Sequence, residues 1–83
     1  MEKSIHSHEY SVLLSQLKGV RESRNVTQLE LAARLNTSQS FISKLERGER
    51  RIDVVELKSI CEALGVPFQK FISQFERALV DSR

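Results

Sequence analysis

Residues Thr27–Arg50 read TQLELAARLNTSQSFISKLERGER. Thr27 and Glu30 form a T-x-x-E box, in which a hydroxyl and a carboxylate reciprocally satisfy two orphan amides at a helix start. Val26 and Leu31 stand where an apolar staple fixes the entry of the chain. The helix begun there continues through Ala32, Ala33 and Leu35, and its small alanines permit close approach of a neighbour. Asn36 is one of the few non-glycine residue types that tolerate a left-handed backbone, so the chain is expected to turn sharply there. Ser38 then caps a further helix that runs to about Glu46 and stops at Gly48. Two short helices joined by roughly three residues suit a helix-turn-helix.

The second of these helices has two unlike sides. At about 100° per residue, Gln39, Ser43, Arg47, Ser40 and Lys44 fall within an arc of about 140°, and Phe41, Ile42 and Leu45 lie opposite. One side docks on a core. The other presents an amide, two hydroxyls and two cations. An amide such as Gln39 can pair with adenine, Lys44 can donate to the guanine acceptors, and Ser40 can pair with either. The alternative reading of this face is a solvated polar surface of the ordinary kind. The tight turn, the basic surroundings and a preceding helix whose first residue can cap a phosphate favour DNA.

Outward from this unit, Tyr10, Leu13, Leu14, Leu17 and Val20 follow an i, i+3, i+4, i+7 rule and predict a helix from about His8 to Ser23. Gly19 inside it is either tolerated on the wet face or marks a close approach. On the other side, Arg47 to Ile52 is a charged loop, and Asp53 caps a helix carrying Leu57, Ile60, Cys61 and Leu64 that stops at Gly65. Pro67 is expected at the first position of a last helix, with Phe68, Phe71, Ile72, Phe75 and Leu79 along one side. Five helices account for residues 8–83 as one domain, and residues 1–7 lack periodicity and read as a flexible tail.

The composition agrees with this. The 83 residues are 40% hydrophobic and 29% charged, an ordinary composition for a single domain with a small core, neither disordered nor fibrous; the all-α reading rests on the five helical patterns. Between Lys18 and Arg51 there are eight Lys/Arg against four Asp/Glu, net +4; the remainder holds five against seven, net −2. A basic middle with acidic flanks suits an anionic partner that touches the middle. The sole cysteine, Cys61, excludes an internal disulfide and falls at core spacing, as a structural thiol would. His6 and His8 have no accompanying ligand cluster, so neither a metal nor another cofactor is expected. No apolar run is long enough to span a bilayer, and no signal peptide is visible, so a cytoplasmic location is the expectation.

The pattern T-Q-x-x-L-A followed by S-x-x-x-I-S-x-x-E-x-G, at Thr27, Gln28, Leu31, Ala32, Ser38, Ile42, Ser43, Glu46 and Gly48, resembles the helix-turn-helix of the Cro/CI-like regulators, the XRE family. With Ala63–Val66, the likeness covers roughly Leu13 to Phe75. It implies a five-helix, lambda-repressor-like fold with the third helix in the DNA major groove. It carries base reading onto Gln39, Ser40 and Lys44, and phosphate contact onto Gln28, Ser43 and Arg47. It also implies that Arg21 pairs with Glu46, a structural salt bridge. The sequence departs from the family at Asn36, where glycine is common. Arg24, Arg50 and Arg51 read either as further phosphate contacts or as exposed solubilising charge.

One recognition helix reads only a few base pairs, and the resemblance implies a homodimer on a palindromic operator. Phe75 and Leu79 are the candidates for cross-subunit contact, against the alternative that they close the monomer's core. The function expected is therefore that of a sequence-specific transcriptional regulator, of the type of a phage repressor, a restriction-modification controller or an antitoxin. A protein-interaction module using the same fold to hold a toxin or a polymerase subunit is the alternative. Nothing resembles a nucleophile with its base or a phosphate-cradling glycine loop, so no enzyme is expected.

Overall fold

The computed structural model describes residues 7–82. Five helices follow one another: α1 His8–Ser23, α2 Gln28–Arg34, α3 Gln39–Glu46, α4 Val54–Leu64 and α5 Phe68–Asp81, with no strand among the described residues. Residues 1–6, including His6 and most of the expected tail, lie outside the described range, whereas Ser7 accepts the Tyr10 amide and caps α1.

The same backbone device closes four helices in succession. After α1, α2, α3 and α4 the chain passes through one left-handed residue, respectively Asn25 (φ 58°), Asn36 (φ 57°), Gly48 (φ 76°) and Gly65 (φ 75°). In each case the following amide returns to a carbonyl five residues back: Val26 to Arg21, Thr37 to Ala32, Glu49 to Lys44 and Val66 to Cys61, at 2.9–3.2 Å. These are Schellman closures, which satisfy the last carbonyls of a helix and fix the exit direction of the chain. Val26 and Val66, on the far side of two of them, are buried and lock the turns into the core. Asn36 thus performs the turn that the T-x-x-E helix demands, without glycine.

Helix starts are set by side chains. Thr27 with Glu30 and Asp53 with Glu56 both form complete capping boxes, and Ser38 accepts the Phe41 amide at 3.1 Å. Hydrogen bonds from Thr27 hold the Glu30 carboxyl below the usual range, so this cap is present above ordinary carboxylate pKa values and is lost only in acid. Pro67 stands one place earlier than expected. It caps α5 in extended geometry (φ −58°, ψ 132°), and the helix begins at Phe68.

The core comprises Leu17 of α1, Val26, Leu31 and Ala32 of α2 and its approach, Ile42 and Leu45 of α3, Leu57, Ile60, Cys61 and Leu64 of α4, Val66, and Phe71 of α5. Cys61 is buried, and desolvation pushes its thiol up, which keeps it protonated and inert. A Cβ built on Gly19 meets nothing within 4 Å, so of the two readings of that glycine the wet face is the one realised. Tyr10 lies on the apolar stripe of α1 but ends in a polar function. Its hydroxyl accepts the Ile52 amide at 2.9 Å and donates to the Arg50 carbonyl at 3.3 Å, tying the loop after α3 to α1.

Candidate nucleic-acid interface

α3 is held between its neighbours by Ile42 and Leu45, each 1% exposed, with Phe41 half-buried beside them. This orientation leaves Gln39, Ser40 and Lys44 exposed on the opposite side, with Ser43 half-buried and Arg47 exposed at the helix end. α2 packs directly on α3. The exposed side is therefore a ridge of amide, hydroxyl and ammonium groups standing out from a rigid two-helix unit.

The unit is anchored from below by a buried charge pair. Arg21 Nε and Nη2 donate to Glu46 Oε2 and Oε1 at 2.6 and 3.0 Å, and Nη1 donates to the Val26 carbonyl at 2.8 Å. The two side chains are 9% and 6% exposed. The hydrogen bond to Glu46 raises the Arg21 guanidinium above its ordinary range against the opposing pull of burial. Gln28 joins this network, its Nε2 donating to Glu46 Oε1 at 2.9 Å. One carboxylate thus fastens α1, the first residue of α2 and the last residue of α3 to each other.

The remaining cations are distributed around this centre. Arg47 donates from Nη1 to Ser43 Oγ and from Nε to Glu49 Oε2 at 2.6 Å. Arg50 pairs with Glu56 at 2.7 Å, and its Cζ stands 4.5 Å from the centre of the Phe41 ring, a cation–π arrangement. Arg51 is exposed in the same loop. Arg24 points elsewhere, its Nη1 reaching the Gly65 carbonyl at 3.3 Å at the turn between α4 and α5. Arg34 likewise reaches the Ala63 carbonyl at 2.9 Å, so both arginines bind carbonyls at the C-terminal end of α4 and its cap. Phe75 and Leu79 are half-buried on α5, in contrast with Phe71, which is 0% exposed. His8 Nε2 lies 3.0 Å from Ser82 Oγ, and no group of three or more potential metal ligands occurs among the described residues.

Three contributors were not legible as such in the sequence. Tyr10 sits at a core-spaced position, and only the presence of a phenol there hinted at a polar partner. Glu49 reads as one charge of the Arg47–Ile52 loop and Glu56 carries no sign of a role in the sequence; their hold on Arg47 and Arg50 depends on how the α3–α4 loop is folded.

An all-α domain in which a capped helix, a tight left-handed turn and a second helix with an exposed polar ridge are locked together is a helix-turn-helix domain. The helix-turn-helix family profile matches residues 17–71. The chain belongs to the XRE-type helix-turn-helix transcriptional regulators, a DNA-binding family. An XRE-family-like protein of Pseudomonas syringae pv. tomato is 42% identical and superposes with a TM-score of 0.82, over 88% of this chain and 89% of that one. The restriction-modification controller protein C.Esp1396I is 25% identical with a TM-score of 0.84, over 92% and 99%. The HTH-type transcriptional regulator y4dJ of Sinorhizobium fredii is 36% identical over 59 residues, 71% of this chain and 77% of its own. Of two further relatives, the chain spans 41% and 56% of the length. No described helix is long and apolar enough to cross a membrane.

Proposed function

We propose that this regulator reads a two-fold symmetric operator as a homodimer, with α3 of each copy in a major groove. The observation that carries the reading is the division of α3: Ile42 and Leu45 are buried in the core, while Gln39, Ser40 and Lys44 project together from the same short helix. Gln39 and Lys44 offer the donor and acceptor patterns of adenine and guanine edges, and Ser40 adapts to either. Gln28, Ser43 and Arg47 surround this ridge and take the phosphates, with Arg50 and Arg51 from the following loop. Arg24, Arg47 and Arg50 all hold protein partners in the free chain, so a phosphate contact from any of them exchanges one bond for another. The likeness to a restriction-modification controller supports the regulatory reading and leaves the controlled genes open.

Selection of bound duplexes from a random pool at stated salt tests this proposal. Recovery of a palindrome with half-sites about 34–36 Å apart is the expected result. Enrichment of no sequence, with only weak, salt-sensitive binding, counts against it. Within the recovered site, Gln39→Ala should remove about 1–3 kcal/mol of discrimination at one base position and leave the other positions intact. Equal weakening on every sequence would instead make Gln39 a backbone contact.

A second reading has one observation in its favour. Leu35, Phe41, Val55 and Ile60 line an apolar groove beside α3, and Val54 and Val55 are 64% and 69% exposed at the start of α4. A toxin or polymerase subunit held there would make the domain an interaction module. A partner captured by this chain and released by Val55→Asp, together with failure of the duplex selection, is the outcome that favours it.

A further inference from the structure

α3 and its C-terminal cap present two cations, Lys44 and Arg47, and one carboxylate, Glu49, is paired with the second of them. Glu49 accepts from Arg47 Nε at 2.6 Å and from Nη2 at 3.3 Å. Its position is fixed by the Schellman closure of α3, in which Gly48 is left-handed and the Glu49 amide returns to the Lys44 carbonyl at 2.9 Å. The hydrogen bond from Arg47, and then the charges of Arg47 and Lys44, hold the Glu49 carboxyl below its ordinary range, so it is ionised at neutral pH. Both partners of the ion pair are more than half exposed, at 54% and 53%. Such a pair contributes little to folding in water.

We infer that Glu49 is an intramolecular stand-in for a DNA phosphate: it occupies Arg47 in the free protein, surrenders it on binding, and so sets the affinity of the regulator. The inference rests on the DNA reading above. A carboxylate and a phosphate both accept a guanidinium in the same forked manner, so the two compete for Arg47 directly. Once displaced, Glu49 remains within a Debye length of a polyanion and repels it. The contact acts on no particular base. It lowers affinity for all sequences alike, which keeps a small cationic domain from remaining on random DNA.

The test is Glu49→Gln, which keeps the side chain's size and removes its charge. Binding is measured by titration of the parent and the variant onto a mixed-sequence duplex of roughly three helical turns and onto the site recovered by selection, across a salt series. The expected result, per bound subunit, is affinity about three- to tenfold higher on both duplexes and a log–log salt slope steeper by about 0.9, with the melting temperature unchanged. In an Arg47→Ala background the same substitution should lose more than half of that gain. Unchanged or weaker binding by Glu49→Gln, while the parent binds, overturns the inference and makes Glu49 an orienting partner of Arg47. A full gain in the Arg47→Ala background also overturns it. Failure of the parent to bind either duplex sinks the DNA reading itself, and this inference with it.

Discussion

Glu46→Ala should destabilise the domain by about 3–5 kcal/mol, the range expected when one member of a buried ion pair is removed. Glu46 accepts three hydrogen bonds, two from Arg21 and one from Gln28, with its side chain 6% exposed. In the variant the Arg21 guanidinium keeps its charge, because no accessible pH deprotonates arginine. It retains only the Val26 carbonyl as a partner and stays buried. A domain of this length commonly holds roughly 4–12 kcal/mol in total, so the loss removes much of the reserve. The measurement is urea unfolding, read as a shift of the midpoint at constant slope. A shift worth less than about 1 kcal/mol would mean that water reaches Arg21 and repays the lost carboxylate. The double variant Arg21→Met/Glu46→Met supplies the control. Replacing the whole pair by apolar groups removes the uncompensated charge, so it should be more stable than Glu46→Ala.

The same residue bears on function. Glu46 is the last residue of α3, and Gln28, tethered to it, is the first of α2. Releasing that junction frees the angle between the two helices and the placement of Gln28 beside the ridge. A residue that makes no contact with DNA would thereby weaken DNA binding. Arg21 and Glu46 belong to the scaffold, and their chemistry is directed inward.

Much of this arrangement was legible in the sequence because it rests on local chemistry. The T-x-x-E box, the serine and aspartate caps and the two glycine stops each act within a few residues, and the helices begin and end almost where those signals put them. The two sides of α3 follow from the helical period alone. Asn25 was not legible: nothing in V-R-E-S-R-N-V distinguishes a left-handed asparagine from a polar linker until the Val26 amide is seen returning to Arg21. The attachments of the arginines were not legible for a different reason. Arg24, Arg47 and Arg50 have long stems and flexible heads; the partners Gly65 and Glu56 are set by tertiary geometry over separations of forty-one and six residues, and Arg47 turns onto Glu49 two residues on only because the closure after α3 places it there. Charge counting therefore located the basic middle of the chain, while it overstated how many of those charges stand ready for a polyanion.

Leu79→Asp, and separately Phe75→Asp, should convert the proposed homodimer to a monomer and weaken binding to the proposed two-half-site operator by about 10²–10³-fold, because the second recognition helix no longer arrives as an intramolecular partner. The argument begins with α5. Phe68, Phe71, Ile72, Phe75 and Leu79 recur along one side of it, yet Phe71 alone is fully buried. Phe75 and Leu79 are half-covered, so the C-terminal half of the stripe is apolar surface that the monomer leaves partly wet, with Val80, 65% exposed, beside it. A second copy meeting it covers that surface and brings two domains side by side. The domain measures 34 × 24 × 20 Å, so two adjoining copies can separate their α3 helices by about one turn of DNA, ~34–36 Å. An aspartate placed on each side of the two-fold axis buries like charges against each other, which opposes association more strongly than folding. Sedimentation of the parent and variants reads the oligomeric state, and titration onto full and half operators reads the affinity. The half-site affinity of the variants should match that of the parent, since α3 is untouched. Variants that melt early yet stay dimeric would assign Phe75 and Leu79 to the monomer's own core and place the two-fold contact on another face.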